Sequence, residues 1–163
     1  MAEPVINNEN SSKIIFLIII IYSLFAFLMT FSREIIKDLE DAEGDKIYGA
    51  NTIAINLGKH KTKRIINSIN LVVLLLIALW QYFQYSLYLT TFNTINNEQI
   101  EIWGTNNFSI VYTVLLQICL IYFIFKCFFA KQKSDFSFLS KMSKIIMLLG
   151  ILSILFYTST YLY

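Results

Sequence analysis

Long uncharged stretches alternate with charged segments along this chain. The uncharged stretches are rich in Ile, Leu and Phe, and they cover residues 14–32, 69–89, 108–125 and 145–163. Each is close to the ~20 residues that a helix needs to cross ~30 Å of hydrocarbon. Backbone polar groups inside a bilayer must be satisfied within their own segment, which favours helices. The pattern therefore predicts an all-α integral membrane protein with four transmembrane helices.

The composition supports this prediction. Hydrophobic residues make up 56% of the 163 residues and charged residues only 15%, whereas soluble domains are about a quarter charged. Gly and Pro are scarce, so long helices are favoured over a turn-rich fold. Cys119 and Cys127 lie in one apolar stretch without the spacing of a metal site, and we interpret them as packing side chains. Residues 1–12 lack the basic region of a signal peptide, so the first apolar stretch is expected to be a retained helix.

Basic residues are distributed unevenly between the connections. One precedes the first span, seven lie in the first connection, none in the second, five in the third and none after the last span. Because basic connections stay in the cytoplasm, this pattern places the first and third connections inside and both termini outside. The expected location is an inner or plasma membrane. The basic runs next to the spans are expected to contact lipid headgroups rather than nucleic acid.

The first connection, residues 33–64, begins with an acidic segment that should continue the first helix through Asp45. Four of its carboxylates recur at i, i+4, i+7 and i+11, which places them within about 60° of each other at ~100° per residue. This acidic stripe consists of Glu34, Asp38, Asp41 and Asp45. Glu40 and Glu43 point to the other side of the helix.

The acidic stripe is unfavourable by itself. Like charges at i, i+4 destabilise a helix, and anions near its C-terminus oppose the helix dipole. Two interpretations stay open: a solvated face balanced by nearby Lys and Arg, or a site for Mg²⁺. This ion takes one or two carboxylates and completes its shell with water and phosphate oxygens, and Arg33 and Lys37 would then bind phosphate directly. Three of the chain's four Asp residues lie on the stripe, which favours the metal.

The segment from Arg33 to Asp45, followed by Gly49, Thr52 and Gly58, resembles the second Asp-rich motif of the UbiA superfamily of membrane prenyltransferases. It is most similar to the branch that includes the geranylgeranylglycerol-phosphate prenyltransferases. The resemblance implies a nine-helix bundle in which two Asp-rich motifs bind Mg²⁺ and the diphosphate of an isoprenoid donor. It also implies roles for residues of this chain: metal ligands Asp41 and Asp45, an assisting Asp38, a supporting Glu34, and diphosphate-binding Arg33 and Lys37.

The first motif of that family, NDxxDxxxD, has no counterpart here, because the only Asp outside the stripe is Asp135. We therefore expect residues 1–163 to be a partial prenyltransferase domain, matching helices six to nine, that needs a complementing N-terminal half. The acceptor would be a lipid or an aromatic or quinone precursor. The alternative is a non-catalytic membrane scaffold, partner subunit or degenerate remnant. A transporter is less favoured, since no ionisable residue lies inside a span.

Overall fold

A computed structural model describes the backbone of residues 8–94 and 107–158, and the side chains of 16–83 (except 18) and 108–154. It contains four helices: α1 (Asn8–Ile47), α2 (Ile53–Thr94), α3 (Asn107–Phe129) and α4 (Lys133–Thr158). Each contains a segment long and apolar enough to cross a membrane. The prediction of an all-α, four-span fold is confirmed, and the protein is a multi-pass membrane protein.

Helix α1 runs without interruption through the acidic segment, as the sequence predicted. Its 40 residues correspond to about 60 Å at 1.5 Å per residue. The helix ends in a Schellman motif around Gly49, whose φ is 70°. The N–H of Ala50 donates to the carbonyl of Asp45 at 2.9 Å, and the N–H of Gly49 donates to that of Lys46 at 3.4 Å. A side chain at position 49 would strain this left-handed backbone.

The connection expected at 33–64 is helical apart from residues 48–52. Helix α2 begins at Ile53, well before the uncharged stretch that starts at residue 69. Gly58 has φ 75° and ψ 158° and interrupts the helical backbone there, in a region of φ/ψ space that is almost exclusive to glycine. The buried side chains recur at helical spacing through the basic run: Thr62, Ile66, Asn70 and Val73. This buried face explains why the helix starts early.

The last helix also begins earlier than the uncharged stretch suggested. We expected a span at 145–163; α4 starts at Lys133, and within the described residues its part that is long and apolar enough to cross a membrane is Lys133–Ile154. Residues 159–163 lie outside the part of the chain that the structure describes. The early start follows from buried side chains at helical spacing before residue 145, among them Phe136, Leu139 and Ser143.

The four helices close into an antiparallel ring. Helix α1 packs against α2 and α4, and α3 packs against the same two helices. Hydrogen bonds between side chains show how the helices align. The Nδ2 of Asn70 on α2 donates to Oγ of Ser32 on α1, and the hydroxyls of Tyr22 on α1 and Ser153 on α4 are hydrogen-bonded to each other. We call the end where α1 and α3 finish and α2 and α4 begin the charged end.

The interior mixes apolar residues with small polar ones, whereas the exterior is strongly apolar. Ser32, Ser143 and Ser153 are buried in the interior, and small residues of this kind let membrane helices approach closely. Helix α4 approaches α1 closely at Gly150, where an added Cβ would overlap the ring of Phe25. Large apolar side chains such as Phe16 and Phe27 are exposed on the outside. A continuous apolar exterior is typical of a surface that contacts lipid.

Candidate functional site

The acidic stripe lies on the outer face of α1 at the charged end. In the same turns, Ile35, Ile36 and Leu39 are buried against the other helices. At ~100° per residue their mean direction is about 140° away from that of the stripe. Side-chain exposure is 54% for Glu34 and 56% for Asp41. The chain's own helices therefore pack mainly on the far side of α1, and they leave Glu34 and Asp41 exposed while Asp38 and Asp45 are partly buried.

The four carboxylates of the stripe share one electrostatic environment. Asp38 is partly buried, the negative charges of Asp45, Glu34 and Asp41 all act on it, and the positive charge of Lys37 offsets them in part. The structure thus brings together the four groups that the spacing grouped. In contrast, Glu43 lies on the side toward α2, where its Oε1 is 3.5 Å from the Nζ of Lys59.

The carboxylates of the stripe can supply only part of the ligands that a Mg²⁺ ion needs. Within the described residues, no group of three or more His, Cys, Asp or Glu side chains is arranged to hold a metal ion. Magnesium, however, is commonly held by one or two carboxylates, with phosphate oxygens and water filling its other positions. Asp41 and Asp45, one helical turn apart on an exposed face, can supply such a pair. The residues fit an ion that is shared with a phosphate ligand.

The two predicted diphosphate-binding residues differ in their surroundings. The Nη1 of Arg33 lies 2.8 Å from Oε1 of Glu34, and the arginine side chain is only 22% exposed. Its buried Nε has no hydrogen-bond partner among the described residues. Lys37 is exposed beside the stripe. Arg33 therefore already forms an ion pair with Glu34, whereas the exposed side chain of Lys37 is accessible to a ligand.

A lysine from the third connection reaches the stripe, and the sequence did not predict it. The Nζ of Lys133, the first residue of α4, lies 3.7 Å from Oδ1 of Asp41. Almost a hundred residues separate the two along the chain, so no local spacing signals the contact. It arises because α4 packs antiparallel to α1.

The connection that carries Lys133 is held from two sides. The Nζ of Lys63 on α2 donates to the carbonyls of Phe128 at 3.0 Å and Ala130 at 2.9 Å, at the end of α3. A carboxylate oxygen of Asp135 accepts from the backbone N–H groups of residues 131 and 132 at 2.9 Å each. These bonds satisfy groups that helix ends otherwise leave unpaired. The bonds of Lys63 tie the end of α3 to α2, and those of Asp135 tie the connection to the first turn of α4.

His60 is exposed at the start of α2. Cys119 and Cys127 are free thiols in α3, and Cys127 is buried.

Comparison with known proteins gives one consistent group of relatives. The chain is 35% identical over 124 residues to digeranylgeranylglyceryl phosphate synthase of Methanosphaera stadtmanae, a match that covers 76% of this chain and 38% of that protein. It is 45% identical over 65 residues to the Saccharolobus solfataricus protein of the same name, covering 40% of this chain and 23% of the relative. The Methanothermobacter thermautotrophicus synthase is 54% identical over 39 residues, which are 24% of this chain and 14% of that protein.

The match to these relatives is partial in length. The chain spans about two fifths of the Methanosphaera protein. No protein-family model matches it, and no solved structure matches it significantly. The resemblance to the geranylgeranylglycerol-phosphate branch is nevertheless confirmed by identity over three quarters of the chain. The chain is therefore a homologue of the digeranylgeranylglyceryl phosphate synthases, UbiA-type prenyltransferases of the branch that its acidic motif resembles.

Proposed function

We propose that this chain supplies one wall of a Mg²⁺-dependent prenyltransferase site. The reaction would transfer a prenyl group from an isoprenoid diphosphate to a hydrophobic acceptor. The observation that carries the proposal is the acidic stripe on the outer face of α1, where four carboxylates act on one another and none is fully buried. A stabilising role within this fold does not account for four carboxylates that repel one another.

Each residue of the stripe has a role in this proposal. Asp41 and Asp45 hold the metal ion, while Asp38 and Glu34 add negative charge that favours its binding. Lys37 and Arg33 donate hydrogen bonds to diphosphate oxygens, since charge-assisted bonds of this type are strong. Magnesium, when bound, neutralises charge that develops on the leaving diphosphate.

The bond changes are those of an alkyl transfer. The bond between the allylic carbon and the diphosphate oxygen breaks, and its electron pair leaves with the diphosphate. A nucleophilic atom of the acceptor forms the new bond to that carbon and loses its proton if it is a hydroxyl. The lysine and arginine side chains stabilise the diphosphate as it leaves, so they lower the barrier to ionisation.

A complementing segment completes the site in this proposal. The chain spans 38% of the Methanosphaera relative, and its stripe offers carboxylates from a single helix. A second set of carboxylates, supplied by the complementing segment, would face the stripe and complete the binding site for metal and diphosphate. The names of the relatives favour a lipid acceptor over an aromatic one.

The charged end is assigned to the cytoplasm in this proposal. Twelve of the thirteen basic residues lie at this end of the bundle, in the two connections and adjoining helix turns. Basic segments next to spans are retained on the cytoplasmic side. The stripe would then meet a water-soluble metal ion and a diphosphate headgroup from the cytoplasm, while the prenyl chain remains in the bilayer.

The test measures Mg²⁺-dependent binding of geranylgeranyl diphosphate to the detergent-purified chain, alone and with a matching N-terminal half. Asp41→Asn and Asp45→Asn are compared with Glu43→Gln, a control that removes a carboxylate from the other side of the same helix. We expect binding to need magnesium and to fall at least tenfold in each aspartate variant, with the control unchanged.

Two other results would count against the proposal. Equal binding by wild type and both aspartate variants would mean that the stripe does not hold the ligand. Absence of binding in every combination would leave a solvated helix end and would favour a membrane scaffold or partner subunit.

A further inference from the structure

We infer that Lys133 is a further diphosphate-binding residue, held on Asp41 until a metal ion takes its place. The inference rests on the proposed function, because it concerns a ligand of the same stripe. Its starting point is the contact of 3.7 Å between the Nζ of Lys133 and Oδ1 of Asp41. The ammonium group lies where a cation would be expected on this acidic face.

The contact between Lys133 and Asp41 is of the kind that exchanges readily. Both side chains are more than half exposed, at 69% and 56%. Exposed ion pairs contribute little stability, and a lysine ammonium is a compact charge on a flexible stem. A divalent ion can therefore displace it from Asp41 at small cost. The ammonium group of Lys133 would then be available to donate hydrogen bonds to phosphate oxygens near Asp41.

The backbone of Lys133 is positioned for this task. Lys63 binds the carbonyls of Phe128 and Ala130 just before it, and Asp135 accepts from the N–H groups of residues 131 and 132. These contacts tie the α3–α4 connection to α2 and to the first turn of α4. The side chain can move while its Cα stays within reach of the stripe, which is the property required of a phosphate-binding lysine.

The arrangement predicts two opposite effects of one substitution. Lysine competes with the metal for Asp41, so its removal should strengthen metal binding. Lysine also donates to the diphosphate once the metal is bound, so its removal should weaken diphosphate binding. A residue that only stabilises the fold would change both affinities in the same direction.

The experiment uses the full chain with Lys133→Gln. Binding of Mn²⁺, measured by electron paramagnetic resonance, should become about two- to fivefold tighter, in line with the loss of an exposed ion pair. Binding of inorganic pyrophosphate at saturating Mg²⁺, measured by equilibrium dialysis, should weaken about tenfold, because one charge-assisted bond is lost. Lys133→Arg should retain pyrophosphate binding.

The matched control is Lys131→Gln, in the same connection. The Lys131 side chain is exposed, and it makes no hydrogen bond or ion pair with the residues that the structure describes. This variant should leave both affinities within twofold of wild type. A similar change of affinity in both lysine variants would mean that the effect comes from general surface charge, and it would overturn the assignment of Lys133.

The outcomes separate the two proposals. If wild type binds Mn²⁺ through the stripe but Lys133→Gln changes neither affinity, or changes both in one direction, the role of Lys133 is refuted and the proposed function stands. If wild type and Asp41→Asn bind Mn²⁺ equally, the proposed function itself is wrong, and the inference about Lys133 falls with it.

Discussion

The two faces of α1 at the charged end differ sharply although they share the same helical turns. The inner face contains Met29, Ile35 and Ile36, which are almost completely buried against the neighbouring helices. The outer face contains the stripe from Glu34 to Asp45, whose four carboxylates repel one another and are exposed or only partly buried. One face thus stabilises the fold, whereas the other carries a repulsion that the fold does not need. This mismatch between local charge and local stability supports the proposal that the stripe binds a ligand.

The largest expected effect is on the inner face. Ile36→Ala removes a side chain with 0% exposure, and large-to-small changes at such sites cost about 2–5 kcal/mol. We expect this loss in the free energy of unfolding, measured by circular dichroism in detergent. The matched control is Lys37→Gln on the next residue, which is exposed and should change stability by less than about 0.5 kcal/mol. Equal losses in the two variants would contradict the assignment of the two faces.

A smaller effect is expected where α2 holds the end of α3. Lys63→Met removes two hydrogen bonds to terminal carbonyls and a positive charge at the negative end of the helix dipole, together worth about 1 kcal/mol. Amide hydrogen exchange should accelerate around residues 130–132. Arg64→Met, at the exposed neighbouring position, serves as the control and should leave exchange there unchanged. Unchanged exchange in Lys63→Met would show that this lysine does not hold the connection.

The smallest expected effect has the opposite sign and lies on the outer face. Asp38→Asn removes one of four mutually repelling carboxylates and should raise the free energy of unfolding by a few tenths of a kcal/mol, as for like charges one turn apart. The gain should shrink at high salt, because screening weakens repulsion between exposed charges. A clear loss of stability would mean that Asp38 has a structural partner, and the contrast between the faces would weaken.

Much of the fold followed from the distribution of charge along the chain. The uncharged stretches identified all four helices, and the i, i+4, i+7, i+11 spacing grouped the carboxylates of the stripe. The start of α2 at Ile53 was not foreseen, because the basic run after Gly58 read as a connection. Its helical face becomes visible only once Thr62 and Ile66 are seen to be buried.

The candidate site was predictable only in part. Spacing grouped the carboxylates, but it does not say which side of α1 faces the other helices. That direction depends on how Ile35 and Leu39 pack against the bundle. The approach of Lys133 to Asp41 depends on the position of α4 in the ring. Contacts between distant segments are set by tertiary packing, so a single sequence does not reveal them.

The packing of the last helix against the first has a consequence for synthesis. Phe25 lies against Gly150, and the hydroxyls of Tyr22 and Ser153 are hydrogen-bonded, so these partners on α4 emerge more than a hundred residues after the α1 residues that they contact. At roughly 5–20 residues per second, α1 spends on the order of ten seconds in the membrane, packed only against α2, before α4 arrives. During that interval the hydroxyl of Tyr22 lacks its final partner. Closure of the ring therefore becomes the last step of assembly, and any factor that delays α4 prolongs the exposure of α1.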